Sequence, residues 1–195
     1  MPEQDELLSA VGVDYTHLRN LLASEQWQKA DQETGAVILR IARRVTAGWL
    51  REEDIQNFPC LDLQTIDQLW VKHSQGHFGF TVQNRIWESV GQDYAKFSDS
   101  IGWRAYYSWQ QWRQYSNLIF SLQAPVGHLH PLRRFSRPAG QLLGGVLLYR
   151  QNLWTAMPKI SDCDPSRASP LGASLPFLRG QPLYRLRQLS QRPRR

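Results

Sequence analysis

A single, mostly apolar stripe between Trp27 and Val45 restricts the fold more than any other feature. Its members recur every three or four residues, the spacing at which side chains share one face of an α-helix. They are Trp27, Ala30, Thr34, Val37, Ile38, Ile41 and Val45. Arg43 and Arg44 suit the carboxyl end of a helix, and Gly48 provides a stop. The sequence therefore predicts a helix of about five turns with one buried face.

A shorter helix is predicted before this stripe. Leu18, Leu21 and Leu22 share one helical face, and Asp14 is a good residue to cap its start. Ser24 can end this helix and cap the next one. The two segments together predict a helical hairpin.

Helical spacing continues through most of the chain to Trp154. A helix capped by Asp62 is predicted to end at Gly76, with a stripe formed by Leu63, Ile66, Leu69, Trp70 and His73. Another helix, entered through an extended stretch at Phe78, is predicted to end at Gly91. A short helical turn at residues 52–54, a loop around Phe58 and a last helix over 142–154 complete the pattern. We therefore expect an all-α domain over residues 14–154, preceded by an extension over 1–13.

Residues 103–137 combine aromatic rings with arginines. The rings have no clean period and are Trp103, Tyr106, Tyr107, Trp109, Trp112, Tyr115 and Phe120. Arg133, Arg134 and Arg137 follow shortly after. Flat aromatic walls with cations at the rim suit a planar apolar ligand that carries carboxylates. On composition alone, however, a plain core with a solvated arginine loop is favoured over a ligand site.

The net charge of +6 resides in the carboxyl-terminal part of the chain. Residues 158–195 hold Lys159 and seven arginines against Asp162 and Asp164, while residues 1–157 hold 15 basic and 15 acidic groups. Six of the eleven prolines also lie in 158–195. This composition predicts a disordered tail over 155–195. Arginine with proline also leaves a nucleic-acid-binding tail open, although we expect no nucleic-acid partner.

Two cysteines, Cys60 and Cys163, form neither a disulfide framework nor a zinc motif, and we expect reduced thiols in a reducing compartment. The amino terminus lacks the pattern of a signal or transit peptide, and no apolar run reaches the roughly 20 residues of a membrane span. His73 and His77 are separated by Gly76, which should break the helix that would align them. The sequence predicts no metal site.

Catalytic motifs are not found in the sequence. It holds no nucleophile elbow, no phosphate-cradling glycine loop and no HExxH pair, and the cluster Glu52, Glu53 and Asp54 is typical of a helix start. We therefore expect a binding protein, not an enzyme.

The amino-acid sequence of residues 14–130 resembles that of the porphyrin-binding domain family called Genomes Uncoupled. The matching stretches, in order, are Asp14-Tyr15-Thr16, Trp27 with Ala30-Asp31, Gly48-Trp49-Leu50, Asn57-Phe58-Pro59-Cys60, Ile66 to Lys72, Phe78-Gly79-Phe80, Gly102-Trp103-Arg104, Phe120-Ser121-Leu122 and Gly127-His128-Leu129. The run from Ile66 to Lys72 with the glycine and phenylalanines after it is the most specific part.

The resemblance implies a helical domain shaped like a cupped hand, with protoporphyrin IX or magnesium protoporphyrin IX as the ligand in an apolar groove. It implies no cofactor of its own, and stimulation of magnesium chelatase through the porphyrin-binding subunit of that enzyme. The expected ligand contacts are Phe58, Trp103, Trp109, Trp112, Tyr115, Phe120, His128, Leu129, Arg133, Arg134 and Arg137. We expect a monomer in the cytoplasm of a cyanobacterium, with peripheral membrane association left open. A divergent signalling or nucleic-acid-binding adaptor remains the alternative.

Overall fold

The chain begins with the predicted helical hairpin. The computed structural model describes residues 7–103, 115–129 and 162–163, all within the unit Met1–Pro165. Helix α1 spans Thr16–Ala23 and helix α2 spans Trp27–Ile41. The Asp14 carboxylate accepts a hydrogen bond from Thr16 N–H at 2.8 Å, but the N-cap is Tyr15, so Asp14 lies one position before the cap that it was predicted to be. Ser24 ends α1 as predicted, but Gln26 precedes α2 and Ser24 does not cap it.

The predicted extension of α2 to Val45 is wrong. Arg43 adopts a left-handed backbone with φ of 56°, and Arg44 N–H donates to Leu39 O at 2.7 Å, so the last turn closes on itself. Val45 falls beyond this reversal and is 64% exposed. The apolar spacing in the sequence continues to Val45, but the helix itself ends at Ile41.

Two helices follow the loop after α2. Helix α3 spans Glu52–Gln56, and its start is closed by Arg51 N–H donating to the Asp54 carboxylate at 2.8 Å. Helix α4 spans Cys60–His73. Phe58 and Pro59 form the short connection between them, as the sequence predicted.

Asp62 is not the cap of α4, because the helix begins two residues earlier at Cys60. Its carboxylate is buried and accepts hydrogen bonds from Ser9 Oγ, from Ala10 N–H and from Tyr15 Oη–H, the last at 2.6 Å. The residues before α1 are thereby fixed against α4. Burial and this hydrogen bond raise the pKa of the Tyr15 phenol well above its ordinary value, so Tyr15 remains a donor.

Helix α5 spans Phe80–Ser89 and confirms the predicted helix with an extended entry. Helix α6 spans Tyr94–Ser100 and was not predicted. Asp93 caps α6 by accepting from Ala95 N–H and Lys96 N–H at 2.8 and 3.1 Å. Every regular element within the described ranges is helical, which confirms the all-α prediction.

Aromatic rings from three parts of the chain form the centre of the core. Trp27, Trp70 and Phe78 lie with ring centroids 5.7 to 6.1 Å apart. Trp70 is fully buried and its indole N–H donates to Thr34 Oγ1 at 3.0 Å. The predicted buried stripe of α4 is confirmed at Leu63, Ile66, Leu69 and Trp70, whereas His73 is only half-buried. The hydrogen bond of Trp70 joins α4 to α2.

The expectation of two free thiols is wrong. Cys60, the first residue of α4, forms a disulfide with Cys163. The predicted helix over 142–154 lies outside the described residues, as does the predicted tail apart from residues 162–163. None of the helices in the described part is long and apolar enough to cross a membrane.

Candidate ligand-binding site

Residues 115–129, here called the 115–129 segment, contain four of the predicted ligand contacts and almost no regular structure. One turn of 3₁₀-helix, Tyr115–Asn117, begins the segment. The remainder is turn and loop, so its shape depends on contacts with the helices.

Two side chains from the helical body hold the far end of this segment. Gln83, buried on α5, donates from Nε2 to Gly127 O at 2.8 Å. His77 lies 2.7 Å from Ala124 O through Nε2, and a carbonyl only accepts, so this ring nitrogen carries the proton. The main chain adds Gly127 N–H donating to His77 O at 2.8 Å. The segment is thus fixed to both α5 and the turn before it.

Gly127 permits a close approach between the segment and the helices. Its φ is 76°, a region that favours glycine. A Cβ atom added there would lie 2.9 Å from Ile86 Cδ1 and 3.2 Å from Ile101 Cγ2. The backbone therefore packs directly on side chains of α5 and of the residue that ends α6.

His128 is buried, and both of its ring nitrogens are engaged. Nδ1 lies 2.6 Å from Ile101 O and must donate, whereas Nε2 accepts from Ile119 N–H at 3.0 Å. These opposed partners require the neutral tautomer protonated at Nδ1. The imidazole therefore connects the end of α6 to the middle of the 115–129 segment, and neither of its nitrogens is directed at solvent.

Trp103 and Leu129 are also part of the core. Trp103 is buried, packs edge-on against Phe97 with centroids 6.1 Å apart, and donates from Nε1 to His128 O at 2.7 Å. Leu129 is fully buried, and Phe58 is buried at the connection between α3 and α4. The side chains of these three predicted ligand contacts are therefore buried in the protein and are not exposed on its surface.

Tyr115 and Phe120 differ from the other predicted residues because they are only half-buried. Their rings pack edge to face with centroids 5.3 Å apart. The Tyr115 hydroxyl donates at 2.9 Å to Oδ2 of Asp31, which is buried on α2. The pair is therefore held in one orientation while part of each ring remains accessible.

Three exposed aliphatic residues share the segment with this pair. Ile119 and Leu122 are each 38% exposed and Val126 is 46% exposed. These three residues, Tyr115 and Phe120 all lie within residues 115–126 of the sequence, and we call them the apolar edge. Apolar side chains that remain accessible within so short a stretch are candidates for contact with a ligand.

The sequence did not identify the aliphatic part of the apolar edge or the two groups that support it. Asp31 and Gln83 were not predicted, because their partners lie 84 and 44 residues away along the chain. Ile119, Leu122 and Val126 lie in a stretch that contains Ser121, Pro125 and Gly127 and has no apolar period. This was the local signal that their side chains could remain exposed. Trp109, Trp112, Arg133, Arg134 and Arg137 lie outside the described residues.

Gln83 also has a buried side-chain oxygen. Its Oε1 is buried and has no hydrogen-bond partner in the structure as described. The amide cannot be turned to use this oxygen, because Nε2 is needed for Gly127 O.

No cluster of three or more His, Cys, Asp or Glu side chains suited to a metal ion occurs in the described ranges.

Known proteins with related sequences and structures point to one group. The family model described as GUN4-like matches residues 8–142. The chain is similar to the "Ycf53-like protein" of Synechocystis sp., with 36% identity over 76% of this chain and 62% of that protein. It is also similar to "Tetrapyrrole-binding protein, chloroplastic" of Arabidopsis thaliana, with 32% identity over 67% of this chain and 52% of that protein. The chain thus spans between half and two thirds of the length of these relatives.

A solved structure shares the fold. The structure of GUN4 from Chlamydomonas reinhardtii superposes with a TM-score of 0.61 at 29% sequence identity, and the match covers 83% of this chain and 94% of that one. The helical architecture described above is therefore that of the solved relative.

Proposed function

Because this chain belongs to the GUN4 family, we propose that it binds a porphyrin, protoporphyrin IX or magnesium protoporphyrin IX, at the apolar edge of the 115–129 segment. The observation that carries the proposal is the half-buried pair Tyr115 and Phe120, held in place from α2. The name of the Arabidopsis relative, a tetrapyrrole-binding protein, supports the same ligand class.

The chemistry of a porphyrin suits this edge. Its flat apolar body needs aromatic and aliphatic surface, and each ring that stacks or meets it edge-on adds to the area removed from water. Ile119, Leu122 and Val126, which are close to the aromatic pair in the sequence, supply exposed aliphatic surface. Trp109 and Trp112, by their place in the sequence just before the segment, are proposed as additional walls.

The buried members of the predicted site take a different part in this proposal. Phe58, Trp103, His128 and Leu129 support the surface from below and do not offer exposed faces to the ligand. A binding surface that is already ordered loses little conformational entropy when a ligand arrives. The hydrogen bonds of His128 and Trp103 therefore contribute to affinity by keeping the apolar edge in position.

The two propionates of a porphyrin require water or cations at the rim. We propose Arg133 and Arg134 for this role, with Arg137 as a third, because a guanidinium can hold a carboxylate through two parallel hydrogen bonds. These arginines follow the 115–129 segment directly in the sequence. A partly exposed contact of this kind contributes modestly, about 1 to 3 kcal/mol for the pair.

The wider role that we propose is that of a non-catalytic carrier and regulator. The chain would present the porphyrin to the porphyrin-binding subunit of magnesium chelatase and stimulate chlorophyll synthesis in the cytoplasm of a cyanobacterium, at or near its thylakoids. The similarity to a Synechocystis protein supports the setting.

Titration with metal-free and magnesium protoporphyrin tests the ligand. The eight tryptophans transfer excitation to a bound porphyrin, so we expect saturable quenching of tryptophan emission by both compounds. Hemin and a non-cyclic tetrapyrrole serve as comparison ligands. Quenching that never saturates, or binding only to nucleic acid with steep salt dependence, would contradict the proposal.

An assay of magnesium insertion with purified chelatase subunits tests the regulatory role. The rate of magnesium protoporphyrin formation should rise when the chain is added at limiting porphyrin. A rate that is the same with and without the chain, measured with protein shown to bind porphyrin, would separate porphyrin binding from regulation and reject the latter.

A further inference from the structure

A buried carboxylate lies on the apolar face of α2. Asp31 is only 2% exposed, and its neighbours Ala30 and Thr34 on this face are fully buried. Taking a carboxylate out of water is costly unless hydrogen bonds compensate for the lost solvation. An apolar side chain of similar size would pack this face of the helix without that cost. An aspartate at this position therefore indicates a role beyond the packing of α2.

The part of α2 that carries Asp31 is fixed on both sides. Trp27, one turn earlier on the same face, packs against Trp70 with ring centroids 6.1 Å apart. Thr34, one turn later, accepts the indole N–H of Trp70 at 3.0 Å. Both neighbours therefore join α2 to the same ring of α4. The position of the Asp31 backbone is consequently set by the core of the helical body.

The side chain of Asp31 contacts the 115–129 segment. Its Oδ2 accepts a hydrogen bond from the Tyr115 hydroxyl at 2.9 Å, although the two residues are 84 positions apart in the sequence. The Tyr115 ring meets the Phe120 ring at an interplanar angle of 61°. The hydroxyl of Tyr115 is thus held by the helical body, while its ring contacts another residue of the apolar edge.

These two contacts restrain the Tyr115 side chain in different ways. A hydrogen bond at the tip of the ring restrains the torsion χ1, and contact with a second ring restrains χ2, which is broadly populated in tyrosine. The backbone between Tyr115 and Phe120 includes one turn of 3₁₀-helix, Tyr115–Asn117, and is otherwise irregular. Asp31 therefore supplies a restraint on the angle between the rings that does not come from regular structure in the segment.

We propose that Asp31 is a positioning residue for the porphyrin site and determines its preference for flat ligands. This inference rests on the proposed function, because it concerns how the apolar edge selects among tetrapyrroles. Asp31 is too deeply buried to meet the ligand, so it acts through Tyr115.

The preference follows from the fixed angle between the two rings. A ring pair that is already ordered fits a rigid, planar macrocycle without losing further side-chain entropy. An open-chain tetrapyrrole twists out of plane, and a fixed pair cannot repack around the twisted body as a mobile pair can. Holding Tyr115 at its hydroxyl therefore strengthens the binding of a closed macrocycle more than that of an open chain.

NMR of the full chain tests the restraint on Tyr115 without any ligand. The protein is labelled with carbon-13 at Cζ of its seven tyrosines, and the Tyr115 signal is the one missing from Tyr115→Phe. We expect exchange of the Tyr115 hydroxyl proton with water to become about tenfold faster in Asp31→Leu, because a hydrogen bond to a carboxylate is lost. Equal exchange rates in Asp31→Leu and the wild type would overturn the positioning role.

Titration with protoporphyrin IX and with biliverdin measures the preference. Both ligands carry two propionates, but biliverdin is an open chain. We expect the dissociation constant of biliverdin divided by that of protoporphyrin to fall by about three- to tenfold in Asp31→Leu and in Tyr115→Phe, the range for one lost hydrogen bond. The change should come mainly from weaker protoporphyrin binding. An unchanged ratio in both variants would overturn the proposal.

Two further variants separate positioning from stability. Asp31→Asn keeps an oxygen acceptor in a side chain of the same size, so it should restore most of the wild-type ratio. Thr34→Val is the matched control, because it removes the buried hydrogen bond to Trp70 one turn away on the same helix. It should unfold at a lower urea concentration with an unchanged ratio. An equal fall of the ratio in Thr34→Val would show that Asp31 acts only through the stability of the fold.

The outcomes distinguish this inference from the proposed function. If the wild type binds neither ligand, the proposed function fails and the preference fails with it, while proton exchange still decides whether Asp31 holds Tyr115. If protoporphyrin binds with the same ratio in every variant, the binding site stands and selection by Asp31 is rejected. If Asp31→Leu does not fold, Tyr115→Phe decides, because it keeps the half-buried ring and loses only the hydroxyl.

Discussion

The helical body, residues 15–103, and the 115–129 segment are stabilised in different ways. Rings and aliphatic side chains on α1, α2, α4 and α5 bury one another, with Trp70 fully enclosed at the centre. The segment has one 3₁₀ turn and is fixed by hydrogen bonds that involve His77, Gln83 and His128, together with the burial of Ala124 and Leu129. The body therefore contributes most of the buried apolar residues, while the segment keeps part of its apolar residues at the surface.

Removal of a central ring should have the largest effect on the body. Trp70→Ala deletes a fully buried side chain and its hydrogen bond to Thr34, so we expect a loss of about 3 to 5 kcal/mol in the free energy of unfolding. Urea denaturation followed by circular dichroism measures this loss. Trp70→Phe, which keeps most of the ring volume, is the control and should lose less. If Trp70→Ala kept its stability but no longer bound porphyrin, Trp70 would be a ligand contact and not a structural core residue.

His128→Phe should reduce stability by less, about 2 to 3 kcal/mol. The substitution fills a similar volume but leaves Ile101 O, which is buried, and Ile119 N–H, which is partly buried, without their partners. Hydrogen exchange should show the Ile119 amide losing protection, while amides of α4 keep theirs. If α4 loses protection to the same extent, the segment and the body are a single cooperative unit and the contrast between them is incorrect.

Gly127→Ala tests the close approach between the two regions. A Cβ at a φ of 76° is strained, and Ile86 Cδ1 would have to move because it lies 2.9 Å away. Since that atom is the far end of a flexible side chain, we expect a cost of about 1 to 2 kcal/mol in thermal or urea unfolding. Gly48→Ala, at a φ of 72° with nothing within 4 Å, is the matched control for backbone strain alone. Equal losses in the two variants would mean that packing under Gly127 is unimportant.

The smallest expected effect concerns an ion pair distant from the segment. The hydrogen bond from Arg51 lowers the pKa of Asp54 below its ordinary value, and the nearby charges of Arg51 and Arg44 act in the same direction. A lowered folded pKa gives stability that is fully present above about pH 4 and is lost as the pH falls through the folded value. Asp54→Asn should therefore be less stable than wild type at pH 7, by under about 1 kcal/mol.

Unfolding curves at pH 7 and pH 3 measure this difference, which should narrow at the lower pH. Porphyrin affinity at pH 7 should not change. A gap between Asp54→Asn and wild type that widens on acidification would show that the carboxylate is not stabilised by Arg51.

Periodicity in the sequence predicted the body well and the segment poorly. The hairpin of α1 and α2 follows from apolar spacing, which reports a buried face wherever a helix has a partner. Val45 continued that spacing beyond the last partner, so the end of α2 was wrong. Asp62 resembled a helix cap, but its partners Ser9 and Tyr15 lie more than 40 residues away, a distance that local rules do not cover.

The sequence predicted which region contains the candidate site, but not which of its side chains are buried and which are accessible. Trp103 and Phe120 both belong to the aromatic-rich stretch 103–120 of the sequence, yet Trp103 is in the core and Phe120 is only half-buried. Which of the two rings is exposed depends on long-range hydrogen bonds, such as that between Trp103 Nε1 and His128 O. The pairing of Cys60 with Cys163 was equally inaccessible, because two cysteines 103 residues apart carry no local signal.

The central claim is that the apolar edge binds the ligand while the body only supports it. Porphyrin titration of Phe120→Ala, beside Val45→Ala as an exposed apolar residue distant from the segment, tests this most directly. We predict that Phe120→Ala unfolds at nearly the wild-type urea concentration but binds porphyrin about tenfold more weakly, because it loses roughly one ring contact. Val45→Ala should match the wild type in both respects. Wild-type porphyrin affinity in Phe120→Ala, at unchanged stability, would contradict the account.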